Sequence, residues 1–265
     1  MKKGSLWSWF WVALGAIYLL LPLTGTFIFS LRAKKDTLSF VAYQNAFSDP
    51  KFLESFGFSV LMALLTIIVS LLITVPTAYW VQLRLPRLRP VVELLTLLPF
   101  VIPAVVLVFG LIRIYSRPPL ALTGSSFTSN ILLIAGYTVL SLPYMYRAVD
   151  NGLRTIDIRT LTEAAQSLGA GWPTIILQVI FPNLRGALLS GAFLTFAIVI
   201  GELVLAAFLA RPAFGPYLAL LGQNRAYEPA ALAIVSFALT WACVGLIQFL
   251  GRGKTDRDRG LAGPG

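Results

Sequence analysis

The sequence contains no histidine and only one cysteine, Cys243, and this shortage excludes several kinds of chemistry. Disulfide frameworks, Cys/His zinc sites and nucleophiles paired with histidine all need residues that the chain does not supply. Charged residues are scarce as well, at 12% of the 265 residues, whereas 57% are hydrophobic. Because soluble domains carry about 25% charged residues, this composition predicts a polytopic membrane protein.

Long apolar runs separated by polar segments predict an all-α fold with six transmembrane helices. The predicted spans cover about residues 7–31, 56–83, 92–112, 127–146, 186–210 and 230–250. The segments 32–54, 113–126 and 211–229 are predicted loops on one side, the first containing a short helix, and the segment 147–185 is the long loop on the other. We expect residues 1–251 to form one transmembrane domain. Residues 252–265 alternate basic residues with aspartate and end in small residues, so we expect a disordered tail.

The distribution of Lys and Arg predicts the orientation in the membrane. Six spans place both ends and the long loop on one side, which holds thirteen of the 21 basic residues, including Lys2 and Lys3. The other side holds the remaining eight, including Lys35. Since short cytoplasmic loops are enriched in Lys and Arg, both termini are predicted to be cytoplasmic. The net charge of +10 therefore needs no nucleic-acid partner, because no basic stretch is interleaved with surface aromatics.

The 21 residues between Glu163 and Arg185 carry no charge, yet the pattern of residues 157–183 argues against another span. Their first half has an apolar stripe at helical spacing: Ile158, Leu161, Ala164, Ala165 and Leu168. A one-sided stripe indicates an amphipathic helix rather than one surrounded by lipid. Gly169 follows the stripe, where a C-cap favours positive φ. A second short helix is predicted to begin at Pro173 and to end at Pro182, so two helices lie beside the membrane.

The same residues carry a family resemblance. Glu163-Ala164-Ala165, then Gly169 and, after a gap of nine residues, Val179-Ile180-Phe181-Pro182 resemble the EAA loop of binding-protein-dependent ABC importer permeases. Val179 and Phe181 replace the family's Ile and Leu, which are both apolar exchanges. The Pro76-Thr77-Ala78-Tyr79 ending of the second predicted span also fits. The chain is most similar to permeases of the spermidine/putrescine type, and the resemblance implies the type I importer permease fold.

In that family the loop docks in a groove on a separate ATP-hydrolysing subunit. The resemblance therefore implies contacts to that subunit from these residues: Glu163, Ala164, Ala165, Ser167, Leu168, Gly169, Ala170 and Pro182. It also implies two ATPase subunits, a second permease that is a paralogue, an extracytoplasmic solute-binding protein and a bacterial inner membrane. The alternative is a helix that touches only lipid headgroups, but its polar face would be richer in Lys and Arg than this one, which has Arg159 alone.

We expect no catalytic residue, metal site or cofactor in this chain, with ATP and magnesium held by the partner. Gly253-Lys254-Thr255 looks like the end of a phosphate-binding loop, but Gln248 stands where that loop needs a glycine. An intramembrane enzyme would need paired acids or metal ligands, and Glu202 lies deep in its predicted span alone. An ion channel or a membrane scaffold subunit is the alternative from another class, and neither would need the 157–183 loop.

Glu202 and Tyr144 are the candidate residues of a substrate path. An ionisable group at membrane depth is costly and normally faces the interior of a helix bundle, so Glu202 is expected either to meet substrate or to make a structural hydrogen bond. Aromatic faces suit ammonium groups, and Tyr137, Tyr146 and Trp80 are further, weaker candidates. The resemblance favours a polyamine, with iron(III), thiamine and aminoalkylphosphonate as alternatives. Asp150 and Asp157 are expected to be loop caps.

Overall fold

The computed structural model describes residues 6–34 and 37–259, and these form an arrangement of helices. Lys2, Lys3 and Lys35, which count toward the predicted orientation, lie outside the described residues, as does the end of the tail. The helices are α1 (Leu6–Ser30), α2 (Val41–Ser48), α3 (Pro50–Leu83), α4 (Arg89–Val101), α5 (Ala104–Tyr115), α6 (Ser126–Arg154), α7 (Ile158–Ser167), α8 (Trp172–Asn183), α9 (Arg185–Gly201), α10 (Val204–Phe208), α11 (Phe214–Asn224) and α12 (Glu228–Arg259).

The described chain divides into two compact units. One contains residues up to 54 and residues 217–242, where Phe29 stacks on Tyr227 and the Tyr217 hydroxyl donates to Asp49 Oδ2 at 3.2 Å. The other contains residues 55–216 and 243–259 and includes the predicted loop and the predicted substrate path. The second unit is the one that positions the candidate site.

Two clusters of buried side chains form the core of the second unit. The first joins α3 and α6 to the loop helices through residues such as Tyr79, Val149, Ala165 and Ile175. The second joins α3, α5 and α6 to α10 through residues such as Val108, Leu133, Tyr137 and Leu205. The predicted loop is therefore packed into the same hydrophobic core as the membrane helices, and its position depends on them.

Two of the predicted spans are broken in the structure. The third is interrupted at Ile102, whose extended backbone (φ −87°, ψ 114°) precedes Pro103, and α4 and α5 are bent by 101°. Proline lacks a backbone N–H and disfavours helical geometry at the residue before it, which accounts for the break. The fifth predicted span ends at Gly201, because Glu202 is also extended (φ −78°, ψ 127°) before the short α10.

The number of spans stays a prediction. Among the described residues, three helices are long and apolar enough to cross a membrane, and up to five if each bent pair counts as one span. The predicted loop 32–54 contains α2, and α3 then begins at Pro50, earlier than expected. The predicted loop 211–229 contains α11.

The tail differs from the expectation of disorder over its described part. α12 continues to Arg259, so residues 252–259 are helical. The sequence there places opposite charges four positions apart, with Arg252 before Asp256 and Lys254 before Asp258, and this spacing favours a helix.

Candidate functional site

The first loop helix, α7, begins where the sequence predicts a cap. The Asp157 carboxylate accepts hydrogen bonds from the Thr160 hydroxyl at 2.7 Å and from the Thr160 backbone N–H at 3.2 Å, as an N-cap residue does. These hydrogen bonds lower the pKa of Asp157 below its ordinary value, and the bond from the Thr160 hydroxyl has the largest effect. A lowered pKa keeps the cap charged at neutral pH, and its contribution is lost only as the pH falls through that lowered value.

The two faces of α7 have opposite surroundings. Ile158, Thr162 and Ala165 are buried against the chain's own core, whereas Glu163 and Ala164 are exposed. The two alanines of the Glu-Ala-Ala motif, predicted to share a role, therefore lie on opposite sides. Ala165 packs against the chain's own core, and only Ala164 is free to meet a partner.

The exposed side of α7 is held by its own local contacts. Arg159 Nε lies 3.0 Å from Glu163 Oε1, one helical turn away, and the Ser167 hydroxyl donates to the Glu163 carbonyl at 2.9 Å. Both members of the ion pair are exposed, so the pair adds little to stability and is available to exchange partners. We call the exposed residues Glu163, Ala164, Ser167, Leu168 and Gly169 the docking face.

Leu168 does not lie on the buried stripe as the spacing predicts. It is the C-cap of α7 and 89% exposed, while Thr162 takes a buried position that periodicity assigned to apolar residues. The stripe ends early because the chain leaves the helix at Leu168 (φ −87°, ψ 6°) and Gly169 adopts a φ of +80°. The positive φ predicted for Gly169 is confirmed, and a non-glycine residue there would be strained.

The second loop helix, α8, has a π-helical centre. Its middle residues Ile175–Ile180 follow π geometry, with Ile175 and Ile180 fully buried. Pro182 does not end this helix as predicted. The helix continues one residue further, to Asn183, and the chain then bends by 82° at Leu184 into α9. Pro182 and Ala170 are both half-buried.

Both loop helices contact the end of α3. The Tyr79 and Thr162 hydroxyls form a hydrogen bond of 2.8 Å, and both side chains are buried. The Trp80 and Trp172 rings are in tilted contact, with centroids 4.6 Å apart, and the Arg84 guanidinium lies over them, 5.5 Å from the Trp172 ring. Trp80, a weak substrate-path candidate, thus packs against the loop instead.

A charge cluster built around the buried Asp150 joins α3, α4 and α6 nearby. The Asp150 side chain, 6% exposed, pairs with Arg89 at 2.9 Å and Arg154 at 2.7 Å and accepts a hydrogen bond from Gln82 at 2.8 Å. Glu93 pairs with the same two arginines. Asp150 is therefore not the loop cap that the sequence suggests. The four-residue spacing of Arg89 and Glu93, and of Asp150 and Arg154, is the signal that was available.

Glu202 lies at the break between α9 and α10 and has a structural role. Its carboxylate is buried and accepts hydrogen bonds from the Leu205 N–H at 2.9 Å and the Ala206 N–H at 3.3 Å. These amides are unpaired donors at the start of α10, and a carboxylate satisfies them well. Of the two roles considered for Glu202, the structural hydrogen bond is the one that its geometry supports.

The other substrate-path candidates are dispersed. The Tyr144 ring packs edge-on against Phe100 of α4, with centroids 5.3 Å apart. Tyr137 and Tyr146 are buried in different core clusters. Over the described residues, no group of three or more His, Cys, Asp or Glu side chains is arranged to hold a metal ion.

The sequence of this chain is similar to those of transport proteins. The sequence model of the binding-protein-dependent transport system inner membrane component matches residues 74–250. A protein named as a probable molybdenum ABC transporter permease in Haloferax volcanii is 32% identical over 146 residues, 54% of each chain. The molybdenum permease ModB of Azotobacter vinelandii is 31% identical over 150 residues, 53% of this chain and 65% of ModB.

A polyamine permease is also similar. The spermidine/putrescine permease PotC of Escherichia coli K12 is 27% identical over 132 residues, 48% of this chain and 50% of PotC. The matching regions of these three relatives span about half to two thirds of their length.

Solved structures share the fold at low sequence identity. A bacterial ABC transporter that imports the acidic polysaccharide alginate matches 94% of this chain and 96% of its own, with a TM-score of 0.70 and 15% identity. An amino acid ABC transporter matches 82% of this chain, with a TM-score of 0.54. The predicted all-α importer-permease fold is thereby confirmed. With a family match over most of its length, the chain belongs to the binding-protein-dependent transport system inner membrane components.

Proposed function

We propose that this chain is a transmembrane permease subunit of an ABC importer and that α7 docks on a separate ATPase subunit. The carrying observation is the two-sided packing of α7. One face is anchored in the core by Ile158, Thr162 and Ala165, while the docking face presents a leucine that is 89% exposed. A rigidly supported helix with an exposed apolar anchor suits insertion into a groove on a partner.

The family supports the rest of the assembly. Binding-protein-dependent importers need a solute-binding protein, two ATPase subunits and a second permease, and we propose the same partners here, in a bacterial inner membrane with both termini cytoplasmic. Permeases transmit the energy of ATP without hydrolysing it. For this, ATP must favour one orientation of the loop over the other, because a ligand with equal affinity for both states shifts nothing.

Pull-down of the tagged chain from its own membranes tests the proposal. We expect an ATPase subunit with the wild-type protein and at least a tenfold loss with Glu163→Lys, since this change breaks the pair with Arg159 and reverses the charge of the docking face. Thr155→Lys introduces the same positive charge at an exposed loop position outside the docking face, and it should retain the ATPase.

Either of two results would overturn the docking proposal. If no ATPase accompanies the wild-type chain, the importer function fails, and a channel or scaffold subunit becomes the better interpretation. If the ATPase remains bound to Glu163→Lys as firmly as to wild type, the complex exists but α7 is not its contact.

For the cargo, a polyamine remains the first candidate and molybdate the second. PotC is named for spermidine and putrescine, whereas the two relatives with 31% and 32% identity are named for molybdenum. Glu202 adds no support to a cationic cargo, because its carboxylate already accepts backbone hydrogen bonds. The second candidate therefore stands on relatives of slightly higher identity.

Uptake into right-side-out membrane vesicles that are loaded with ATP and supplied with the solute-binding protein separates the two candidates. We expect ATP-dependent accumulation of radiolabelled spermidine, competed by unlabelled spermidine and unaffected by molybdate. Accumulation of labelled molybdate instead would transfer the proposal to an oxyanion. Vesicles that contain Glu163→Lys serve as the control, because they should lose accumulation of whichever solute is carried.

A further inference from the structure

The loop has two kinds of connection to the membrane helices. α7 follows α6, and α8 leads into α9, so the membrane helices α6 and α9 are connected to the loop by the chain itself. α3 is separated from the loop by the whole of α4 to α6 and contacts it only through side chains. Tyr79 and Thr162, for example, lie 83 positions apart.

The first side-chain connection is a buried hydrogen bond. Tyr79 is 0% exposed and Thr162 3%, and their hydroxyl oxygens are 2.8 Å apart. Water does not reach this position, so pulling the helices apart would leave two buried hydroxyls without partners. That penalty is larger than the net value of an exposed hydrogen bond, which makes the contact an effective tie between α3 and α7.

The second connection is an aromatic contact with the other loop helix. Trp80 of α3 meets Trp172, the first residue of α8, in a tilted arrangement, and Tyr79 also contacts the Trp172 ring edge-on at 6.3 Å. The Arg84 guanidinium lies 5.9 Å from the Trp80 ring and 5.5 Å from the Trp172 ring. Cation–π contacts add to the packing of two large rings.

The two connections hold the loop on both sides of its central turn. Thr162 precedes Gly169 and Trp172 follows it, so α3 touches both α7 and α8. A displacement of the docking face would be transmitted to the end of α3 through both contacts, which share Tyr79. Neither Tyr79 and Trp80 of α3 nor Arg84, the residue that follows α3, belongs to the docking face.

We infer that the end of α3 is the point at which movement of the docked loop reaches a helix not connected to it by the chain. Tyr79, Trp80 and Arg84 act there as positioning residues. The inference rests on the proposed importer function and adds the residues through which α3 follows the loop. It assigns them no contact with the ATPase or with substrate.

The test measures whether α3 follows the loop when ATP closes the complex. Spin labels are placed on cysteines at Leu72 of α3 and Leu194 of α9, both exposed, in a Cys243→Ser background. The distance between the labels is measured by pulsed electron paramagnetic resonance in the co-purified complex, without nucleotide and after trapping with ATP and vanadate. In the wild-type loop background, α3 and α9 should move together and keep one distance.

Tyr79→Phe and Thr162→Val each remove one hydroxyl with little change of shape. On trapping, we expect a second distance between the labels, from molecules in which α3 does not follow the loop. The ratio of these molecules to those in which α3 follows should rise about fivefold, which corresponds to the net free energy of one buried hydrogen bond. Combining the two changes should add nothing further, since each already breaks the same bond. Adding Arg84→Gln to Thr162→Val should raise the ratio again, and Thr162→Ser should restore the wild-type distance.

Thr77→Val is the matched control. Thr77 lies on α3 two residues from Tyr79, is exposed, and bonds only its own helix at Ile73. It should leave the distances unchanged.

Each other outcome counts against the inference. If all variants keep the ATPase and show wild-type distances, α3 follows the loop without these contacts. If Thr162→Val releases the ATPase, the residue belongs to docking and not to positioning. An absence of ATPase from the wild-type complex removes the proposed function itself, and this inference with it.

Discussion

Replacing Leu168 with aspartate is expected to weaken binding of the ATPase subunit by about 30-fold while leaving the fold intact. Leu168 is 89% exposed in the chain, so it contributes almost nothing to the chain's own packing. An exposed apolar side chain that fills a pocket on a partner can contribute about 2 kcal/mol, and this corresponds to about 30-fold in affinity. Aspartate would in addition carry an unpaired charge into the interface.

Titration of the purified ATPase subunit against the detergent-solubilised chain measures this effect. Leu88→Asp is the matched control, because Leu88 is also exposed, at 48%, and lies in the turn before α4 on the side predicted to be cytoplasmic. Binding by Leu88→Asp should equal the wild type. Equal binding by Leu168→Asp would show that the groove on the ATPase does not receive this leucine. Leu168 would then be removed from the docking face, and the contact would centre on Glu163.

Replacing Gly215 with alanine is expected to destabilise the protein strongly. A Cβ at this position would overlap the carbonyl oxygen of Glu202 and lie 2.9 Å from the Glu202 carbonyl carbon and 3.0 Å from Leu203 Cα. All three are backbone atoms at the break between α9 and α10, so no flexible side chain can move aside. Overpacking of this kind costs about 1–3 kcal/mol or more.

Thermal unfolding in detergent checks this expectation, with Gly201→Ala as the comparison. Gly201 is one residue from Glu202, yet a Cβ there meets nothing within 4 Å. Gly201 is still part of α9 and does not have a positive φ, so alanine, with its higher helix propensity, suits this position. The neighbouring substitution should therefore leave the melting temperature unchanged or raise it. A Gly215→Ala protein that melts with the wild type would mean that the backbone at Glu202 yields easily.

The sequence predicted the features that depend on neighbours in the chain. The Asp157 cap, the positive φ of Gly169 and the division of residues 157–183 into two short helices all follow from local rules, and the structure has them. The family motif identified the protein class from eight residues between Glu163 and Pro182 and their spacing. These features are predictable because capping and turn chemistry act over three or four residues.

Features that depend on distant partners were not predictable in this way. Hydropathy predicts residues 186–210 as one span, because it contains no information on the hydrogen bonds between the Glu202 carboxylate and the first backbone amides of α10. Helical periodicity assigned Leu168 to the apolar stripe because the stripe was continued beyond Ser167, where α7 ends. Thr162 is buried because Tyr79, 83 positions away, offers it a hydroxyl, and no periodicity contains that information.

The opposite placement of Ala164 and Ala165 has a consequence for how such importers diverge. Residues that keep the loop in place and residues that a partner reads occupy different sides of a helix only ten residues long. In the docking that we propose, substitutions at Glu163, Ala164, Ser167 and Leu168 would change which ATPase is accepted without disturbing the folding of the permease. In a cell with several importers, the residues at these four exposed positions can diverge between permeases while the buried face of the helix stays the same.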